Sequence, residues 1–310
     1  MRVLLAGATG AIGRPLTAAL AEAGHTVVAL TRDHEAATAL SERGIEALVA
    51  DALDRGRLLG EARARGLQVD AVVHQLTALR TPPARHSGMH TTNQLRTVGT
   101  RNLIALAKQT GARRLLTQSI VFGYGYTDHG SMPLTEGSEF GKRPNGPTAP
   151  HIEAMAANES LVRADEQVEG IALRYGLFYG ADSDTMRTML RARKVPIPSR
   201  DGGRLAWVHI DDAVSATVAA LERGRPGAAY NIVDDRPTTW REMMTAAAGF
   251  YGAPQPRALP AWLIRLAAPY VASMVLDTSM QVSNLLARDE LGWAPTFRTF
   301  HEWSGGHAPL

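Results

Sequence analysis

Cysteine is absent from all 310 residues, which excludes disulfides, thiolate metal sites and cysteine nucleophiles. No apolar run approaches the roughly 20 residues that cross a bilayer. The chain opens on a strand-like run, VLLA at 3–6, rather than on a charged and then apolar leader. A soluble, cytoplasmic protein without a membrane partner is expected. Lysine occurs only at Lys108, Lys142 and Lys194, while Ala, Arg and Gly are abundant, a bias consistent with a GC-rich coding sequence. Neither sign of charge is concentrated: the net charge is +3, acids and bases are interspersed, and no basic stripe is interleaved with aromatics. That argues against a nucleic-acid partner. No metal site is expected. A chain of this length can bury a sizeable core, as one large α/β domain or two intimate ones.

The chain is organised around its first 33 residues. After VLLA come Gly7-Ala8-Thr9-Gly10-Ala11-Ile12-Gly13, then apolar residues at helical spacing closed by Gly24, then a second apolar run at 27–30. Strand, glycine turn, helix and strand make a βαβ unit that opens a parallel sheet. The glycines let the backbone turn tightly and approach a pyrophosphate, whose charge then rests on the amides and positive end of the helix. A dinucleotide site is therefore predicted, with Gly7, Thr9, Gly10, Ala11, Ile12 and Gly13 as contacts. NAD binders carry a carboxylate near the end of the second strand for the ribose 2′-hydroxyl, whereas an arginine there accommodates a 2′-phosphate. Thr31 and Arg32 offer a hydroxyl and a guanidinium that can share one phosphate. Asp33 competes: a slip of one residue makes it an NAD-type acid, and otherwise it forms a solvated pair with Arg32. The favoured cofactor is NADP(H).

Further along, a helix is predicted over 34–43 and a third strand over 46–50. Asp51 and Ala52 follow that strand at the sheet edge where an adenine would lie; Asp51 also reads as a helix N-cap. A helix over 54–65, a strand over 69–76, a loop over 77–91 with two histidines, a long helix over 92–110 and a strand over 114–119 continue the alternation. The result is an α/β fold with a doubly wound parallel sheet. Residues 122–150 are rich in Gly, Pro and Ser and read as a loop region at the carboxyl end of the sheet, where ligands bind in such folds. A helix over 151–166 and a strand over 171–175 follow. Beyond 180 the elements shorten: 208–212 precedes a helix to 221, 230–233 is a short strand, and a helical tail runs over 261–291. Residues 1–178, with 207–222 returning to them, are expected to hold the cofactor, and 179–310 mostly to form a smaller substrate-binding or lid region.

Taken together, GATGAIG at 7–13, Asp51, HQLTA at 74–78, IVFGYG at 120–125, LRYGLFYG at 173–180 and WVHIDD at 207–212 resemble the extended short-chain dehydrogenase/reductase family, which contains sugar epimerases and dehydratases. The resemblance covers essentially the whole chain and implies a Rossmann-type fold. It also implies cofactor contacts from Leu76 and Thr77, and from Tyr175 and Leu177 beside the nicotinamide. The family's chemistry uses a Tyr-x-x-x-Lys pair on the helix after the fifth strand and a Ser or Thr at that strand's end. With Glu159 aligned to the family's helix glutamate, the pair falls on His151 and Met155. No realignment restores it, because Ile104, Ser138 and Leu190 stand four residues before the three lysines. The pair is absent. The serine position falls on Gln118, with Ser119 one later, and strand neighbours face opposite ways.

His151 is a candidate replacement acid, since an unperturbed imidazole titrates near 6.5; a solvated histidine at a helix start is the competing reading. Ser119 is the other catalytic candidate. Gln118, Tyr124, Tyr126 and Tyr179 are candidate substrate contacts. Alternatively the substrate supplies its own proton, as from a phenol beside the ketone. Members with an intact NADP fingerprint and no Tyr/Lys pair resemble polyketide-tailoring ketoreductases of actinomycetes. That resemblance implies NADPH-dependent reduction of a bulky, angucyclinone-like aromatic ketone in antibiotic biosynthesis. Trp240, Met243, Met244, Tyr251, Trp262, Leu263, Tyr270, Met274 and Met280 then either wall an apolar pocket or simply pack helices. A non-catalytic NADP sensor is the alternative from another class, and a sugar epimerase or dehydratase the third reading. Either a monomer or a homodimer through the helices near 92–110 and 151–166 is open.

Overall fold

In the computed structural model, which describes residues 1–79, 81–142, 145–180 and 183–306, the alternation of apolar runs and amphipathic segments becomes a layered α/β architecture. The first half runs β1 (Arg2–Ala6), α1 (Gly13–Glu22), β2 (Thr26–Thr31), α2 (His34–Glu42), β3 (Glu46–Val49), α3 (Arg55–Ala64), β4 (Ala71–His74), α4 (His90–Gln94), α5 (Thr100–Thr110), β5 (Arg114–Ile120), α6 (Ala149–Arg163) and β6 (Glu169–Tyr175). The second half is made of shorter pieces: β7 (Leu177–Tyr179), α7 (Ser183–Arg191), β8 (Ile197–Pro198), β9 (Arg204–Leu205), β10 (Trp207–His209), α8 (Ile210–Arg223), β11 (Ala229–Ile232), β12 (Thr238–Thr239), α9 (Trp240–Phe250), β13 (Ala258–Leu259), α10 (Ala261–Ala267), α11 (Pro269–Val275), α12 (Leu285–Leu291) and α13 (Phe300–Gly306). Seven strands form one parallel sheet in the order β11-β6-β5-β4-β1-β2-β3. The order reverses between β1 and β4, and the ligand crevice of such sheets opens at the carboxyl ends beside that reversal.

Period-two side-chain alternation explains why the sheet needs helices on both faces. Val3 and Leu5 join one apolar cluster, with α1, α8 and α12, while Leu4 and Ala6 join the opposite one, with α3 and α5. Both leucines are fully buried, each contributing about 1.5–3 kcal/mol relative to exposure. A third cluster gathers Phe122, Trp207, Trp240, Met243, Met244, Tyr270 and Met274 beneath the carboxyl edge. Most of the aromatic and methionine residues proposed as pocket walls thus pack one another; Trp262 is instead exposed.

Several expected boundaries move. The long helix over 92–110 is α4 and α5 joined by a π-helical turn, Leu95–Gly99. Asp51 does not cap α3: its carboxylate accepts the Leu53 N–H at 2.9 Å, and Asp54 is the N-cap, accepting from Arg57. The helix expected to begin at 151 begins at Ala149, with Pro150 in its first turn; His151 is therefore inside the helix and 3% exposed, not solvated. The tail over 261–291 is three short helices interrupted by an extended stretch over 276–284. That stretch ties down the 122–150 segment through bridges from Asp128 to Ser279 and from Leu134 to Val282. The main sheet also takes its edge strand β11 from within the second half, so the two regions interleave. No described helix is long and apolar enough to cross a membrane.

Candidate active site

The glycine turn has the shape a pyrophosphate requires. Gly7 adopts φ +102°, and a Cβ there would stand 2.7 Å from the Gln75 carbonyl oxygen. A Cβ on Gly13 would come within 1.9 Å of the Gly7 oxygen. Thr9, Gly10 and Ala11 are exposed, while Ile12 anchors the turn in the core. The N-cap of α1 is Ile12, which supplies no side-chain cap, and no acid stands in the first turn. The Arg14 N–H donates to the Gly10 carbonyl at 3.1 Å and Pro15 has no N–H, so the Ile12 and Gly13 N–H groups and the positive helix end are what the turn offers an incoming phosphate. These residues fit a dinucleotide.

At the end of β2, Asp33 has another occupation. Its Oδ1 accepts the N–H of Glu35 at 2.9 Å and of Ala36 at 3.5 Å, capping α2. No ion pair joins it to Arg32 among the described residues. Arg32 is exposed, and Thr31 is buried with its Oγ1 accepting the Asp33 N–H. Asp51 is half-buried; the Ala52 carbonyl accepts from Asn102 at 2.8 Å. Leu76, after β4, accepts from Gln118 through its carbonyl at 2.8 Å, and Thr77 lies 3.4 Å from the Thr92 hydroxyl. Tyr175 is buried, its phenol between Gln75 at 3.0 Å and Thr217 at 2.7 Å, so its ring belongs to the core. Leu177 is half-buried on β7.

Where a Tyr/Lys pair would stand, α6 presents buried His151 and Met155. His151 Nε2 lies 3.0 Å from His86 Nδ1, and its Nδ1 takes the Asn93 amide N–H at 3.0 Å. The two imidazole planes are 8° apart, with the Tyr270 ring edge-on to both. The Tyr126 and Tyr270 hydroxyls are 3.2 Å apart, and Tyr126 stacks on Phe122. Burial first, then the neighbouring His86 and Arg96, lowers the His151 pKa to about 4, so the imidazole is neutral at pH 7. Ser119, at the carboxyl end of β5, is 4% exposed with an Oγ that has no hydrogen-bond partner among the described residues. No lysine approaches: Lys108 pairs with Asp165, Lys142 with Glu139, and Lys194 is exposed.

Two of the candidate substrate contacts are committed elsewhere. Tyr124 accepts from Arg174 at 2.8 Å and donates to Asn231, within a buried network whose centre is the Arg174–Glu159 pair. Tyr179 is buried, edge-on to His209 and Phe300. Gln118 and Tyr126 are half-buried, the Gln118 amide donating to the Leu76 carbonyl and the Tyr126 hydroxyl 3.2 Å from that of Tyr270. Sequence reading missed Asn93 and Arg96 altogether, and His86 except as one of two loop histidines.

The model of the NAD dependent epimerase/dehydratase family matches residues 3–233. A "3-diazoavenalumate denitrifying reductase" of a Streptomyces species is 39% identical, covering 98% of this chain and 99% of the relative. A "4-hydroxy-2-methyl-3-oxo-4-farnesyl-3,4-dihydroquinoline-1-oxide ketoreductase" of Stigmatella aurantiaca is 27% identical, covering 79% of this chain and 72% of the relative. Among solved structures, a UDP-glucose 4-epimerase of Thermotoga maritima superposes with a TM-score of 0.78 at 20% identity, covering 98% of this chain and 96% of that one; it shares the fold. With its glycine turn, its sheet order and these matches, the chain belongs to the NAD-dependent epimerase/dehydratase family.

Proposed function

We propose that the protein is an NADPH-dependent reductase of a bulky aromatic secondary metabolite, and that its hydride acceptor takes no proton from the enzyme: an aryl diazonium ahead of a ketone. The observation that carries this reading is the buried, neutral His151 and Met155 where the family's acid pair would stand. A ketone that accepts hydride becomes an alkoxide and needs a proton, which the Tyr/Lys pair normally provides. A diazonium that accepts hydride becomes an arene and releases N2, with no proton taken up. Loss of the pair is costly in the first case and free in the second. The Streptomyces relative, whose description joins reduction to loss of nitrogen from a diazo compound, supports the same choice.

When bound, NADPH supplies the hydride. The chain's own contribution is to hold and orient. The glycine turn and the N-terminus of α1 would hold the pyrophosphate, with Thr31 and Arg32 at the 2′-phosphate. Asp33, occupied as a cap, supports the phosphate over the bare ribose. In this reading residues 1–178, with 207–222, serve the cofactor, and 179–310 mostly shape the substrate side. The ketoreductase of an angucyclinone-like aromatic polyketide is the second reading. It is favoured by the free Ser119 hydroxyl, which can donate to a carbonyl, and by the Stigmatella ketoreductase; its proton would come from a phenol beside the ketone.

The test is turnover with [4-2H]NADPH on a diazotised aminoarene and on aromatic ketones, against enzyme-free controls. Expected are N2 and an arene carrying deuterium at the former C–N carbon, with His151→Gln retaining activity within about tenfold, or 1.4 kcal/mol of barrier. Alcohol from the ketone without arene from the diazonium would establish the second reading. Tight NADPH binding with neither product would favour a sensor.

A further inference from the structure

Arg96 is a buried cation that the protein itself does not neutralise. It is 8% exposed and stands on the π-helical turn between α4 and α5. Such turns are rare and frequent at functional sites. Its Nη1 is buried without a hydrogen-bond partner among the described residues, and no described carboxylate forms an ion pair with it. The other deeply buried arginine behaves differently. Arg174, 2% exposed, is held by both oxygens of Glu159 and by the Tyr124 hydroxyl. An uncompensated buried charge costs several kcal/mol; Arg174 avoids that cost, and Arg96 does not.

The ionisable groups facing Arg96 come from four elements, and none supplies a negative charge at neutral pH. His74 at the end of β4 and His151 on α6 are neutral bases, both lowered to about 4 chiefly by burial. Tyr126, in the segment after β5, and Tyr270 on α11 have pKa values raised chiefly by burial. Ser119 Oγ, Asn93 Oδ1 and His74 Nε2 are likewise buried without partners among the described residues. A buried guanidinium whose ionisable neighbours are all neutral, two of them tyrosine hydroxyls 3.2 Å from each other, is built to receive an anion carried on an aromatic body. The pyrophosphate is already provided for at Gly7–Gly13, and Tyr126 and Tyr270 belong to the substrate side.

We infer that Arg96, with the Tyr126 and Tyr270 hydroxyls, receives an anionic oxygen group of the substrate, a carboxylate or a phenolate of an aromatic acid. This rests on the reading of the crevice as an aromatic-substrate site, and it sharpens that reading. A diazonium without its own anion would be repelled by Arg96, so the site selects arenes whose oxyanion offsets the charge.

The test uses arenes that carry nothing to reduce, so its result is independent of which acceptor the enzyme takes. The NADP⁺-saturated protein is titrated calorimetrically with 4-hydroxycinnamate, its methyl ester and its 4-methoxy analogue, as wild type, Arg96→Lys and Arg96→Gln. Expected is binding of 4-hydroxycinnamate that weakens at least tenfold in Arg96→Gln and less in Arg96→Lys, with NADP⁺ affinity changed by less than twofold. Selective loss with the ester identifies the carboxylate, and selective loss with the 4-methoxy analogue the phenolate. Arg96→Met, which removes the buried charge, should also raise the Tm of the ligand-free protein. Equal affinity of wild type and Arg96→Gln, no binding of any of the arenes to wild type, or a parallel loss of NADP⁺ affinity would overturn the inference. The last result would assign Arg96 to the cofactor.

Discussion

At the scale of single residues, the proposed preference for NADP(H) rests on three neighbours at the end of β2. Asp33 spends its carboxylate on two backbone N–H groups of α2, which leaves the exposed Arg32 as the charged group for a 2′-phosphate. Arg32→Ala should therefore weaken NADP⁺ binding by about 2 kcal/mol, roughly 30-fold, the worth of a hydrogen bond to a charged group. NAD⁺ affinity should stay within twofold. Calorimetry with both nucleotides checks this, and a wild type that prefers NAD⁺ would sink it. The pattern Thr31-Arg32-Asp33 was legible in the sequence, but which of the two charges was free was not, because a cap and a ribose ligand use the same carboxylate.

At the scale of elements, the glycine turn and α1 act as one part. Gly13→Ala forces a Cβ to within 1.9 Å of the Gly7 carbonyl, so backbone must move. A loss of about 2 kcal/mol in stability, within the range for overpacking, should accompany loss of dinucleotide binding. Gly60→Ala, in α3 with nothing within 4 Å of its Cβ, should instead stabilise by about 0.5–1 kcal/mol. Urea unfolding of both variants separates a glycine required by close approach from one that merely costs helix entropy. The π turn is the element that sequence patterning could not give. Hydrophobic periodicity continues through 92–110 as for a regular helix, and the wider turn over Leu95–Gly99 leaves no mark on it. Arg96 is buried on the same face as Thr92, Gly99 and Leu103, yet an arginine on a helix reads as solvated until the packing around it is known.

At the scale of the whole molecule, buried titratable groups set opposing pH limbs. Burial raises the Asp234 pKa from 3.8 to about 8, with Asp212 and Asp235 adding to it. The folded protein thus holds that proton more tightly than the unfolded chain, and its contribution to stability, complete below about pH 4, is lost as pH rises through about 8. His74 and His151 are depressed from 6.5 to about 4. Their contribution is present above pH 6.5 and is lost as pH falls towards 4. Each proton contributes a slope of at most about 1.4 kcal/mol per pH unit. Tm measured from pH 4 to 9 should flatten on the alkaline limb in Asp234→Asn and on the acid limb in His74→Gln. Unchanged limbs would remove these groups from the linkage.

By itself the sequence determined the βαβ opening, the parallel α/β sheet, the dinucleotide turn and the absence of a Tyr/Lys pair. Each of these is local, written in periodicity, in glycines at fixed spacing, or in which residue types occur at all. Tertiary structure decided the rest, because it depends on what distant segments bring together. It placed Tyr124 and Tyr179 in buried networks rather than at an open wall, and drew β11 from the second half into the main sheet. It also closed His86, Asn93, His151 and Tyr270 around one point. Burial, which exists only once the chain is folded, then made His151 a neutral base and left Arg96 a cation without a counter-charge.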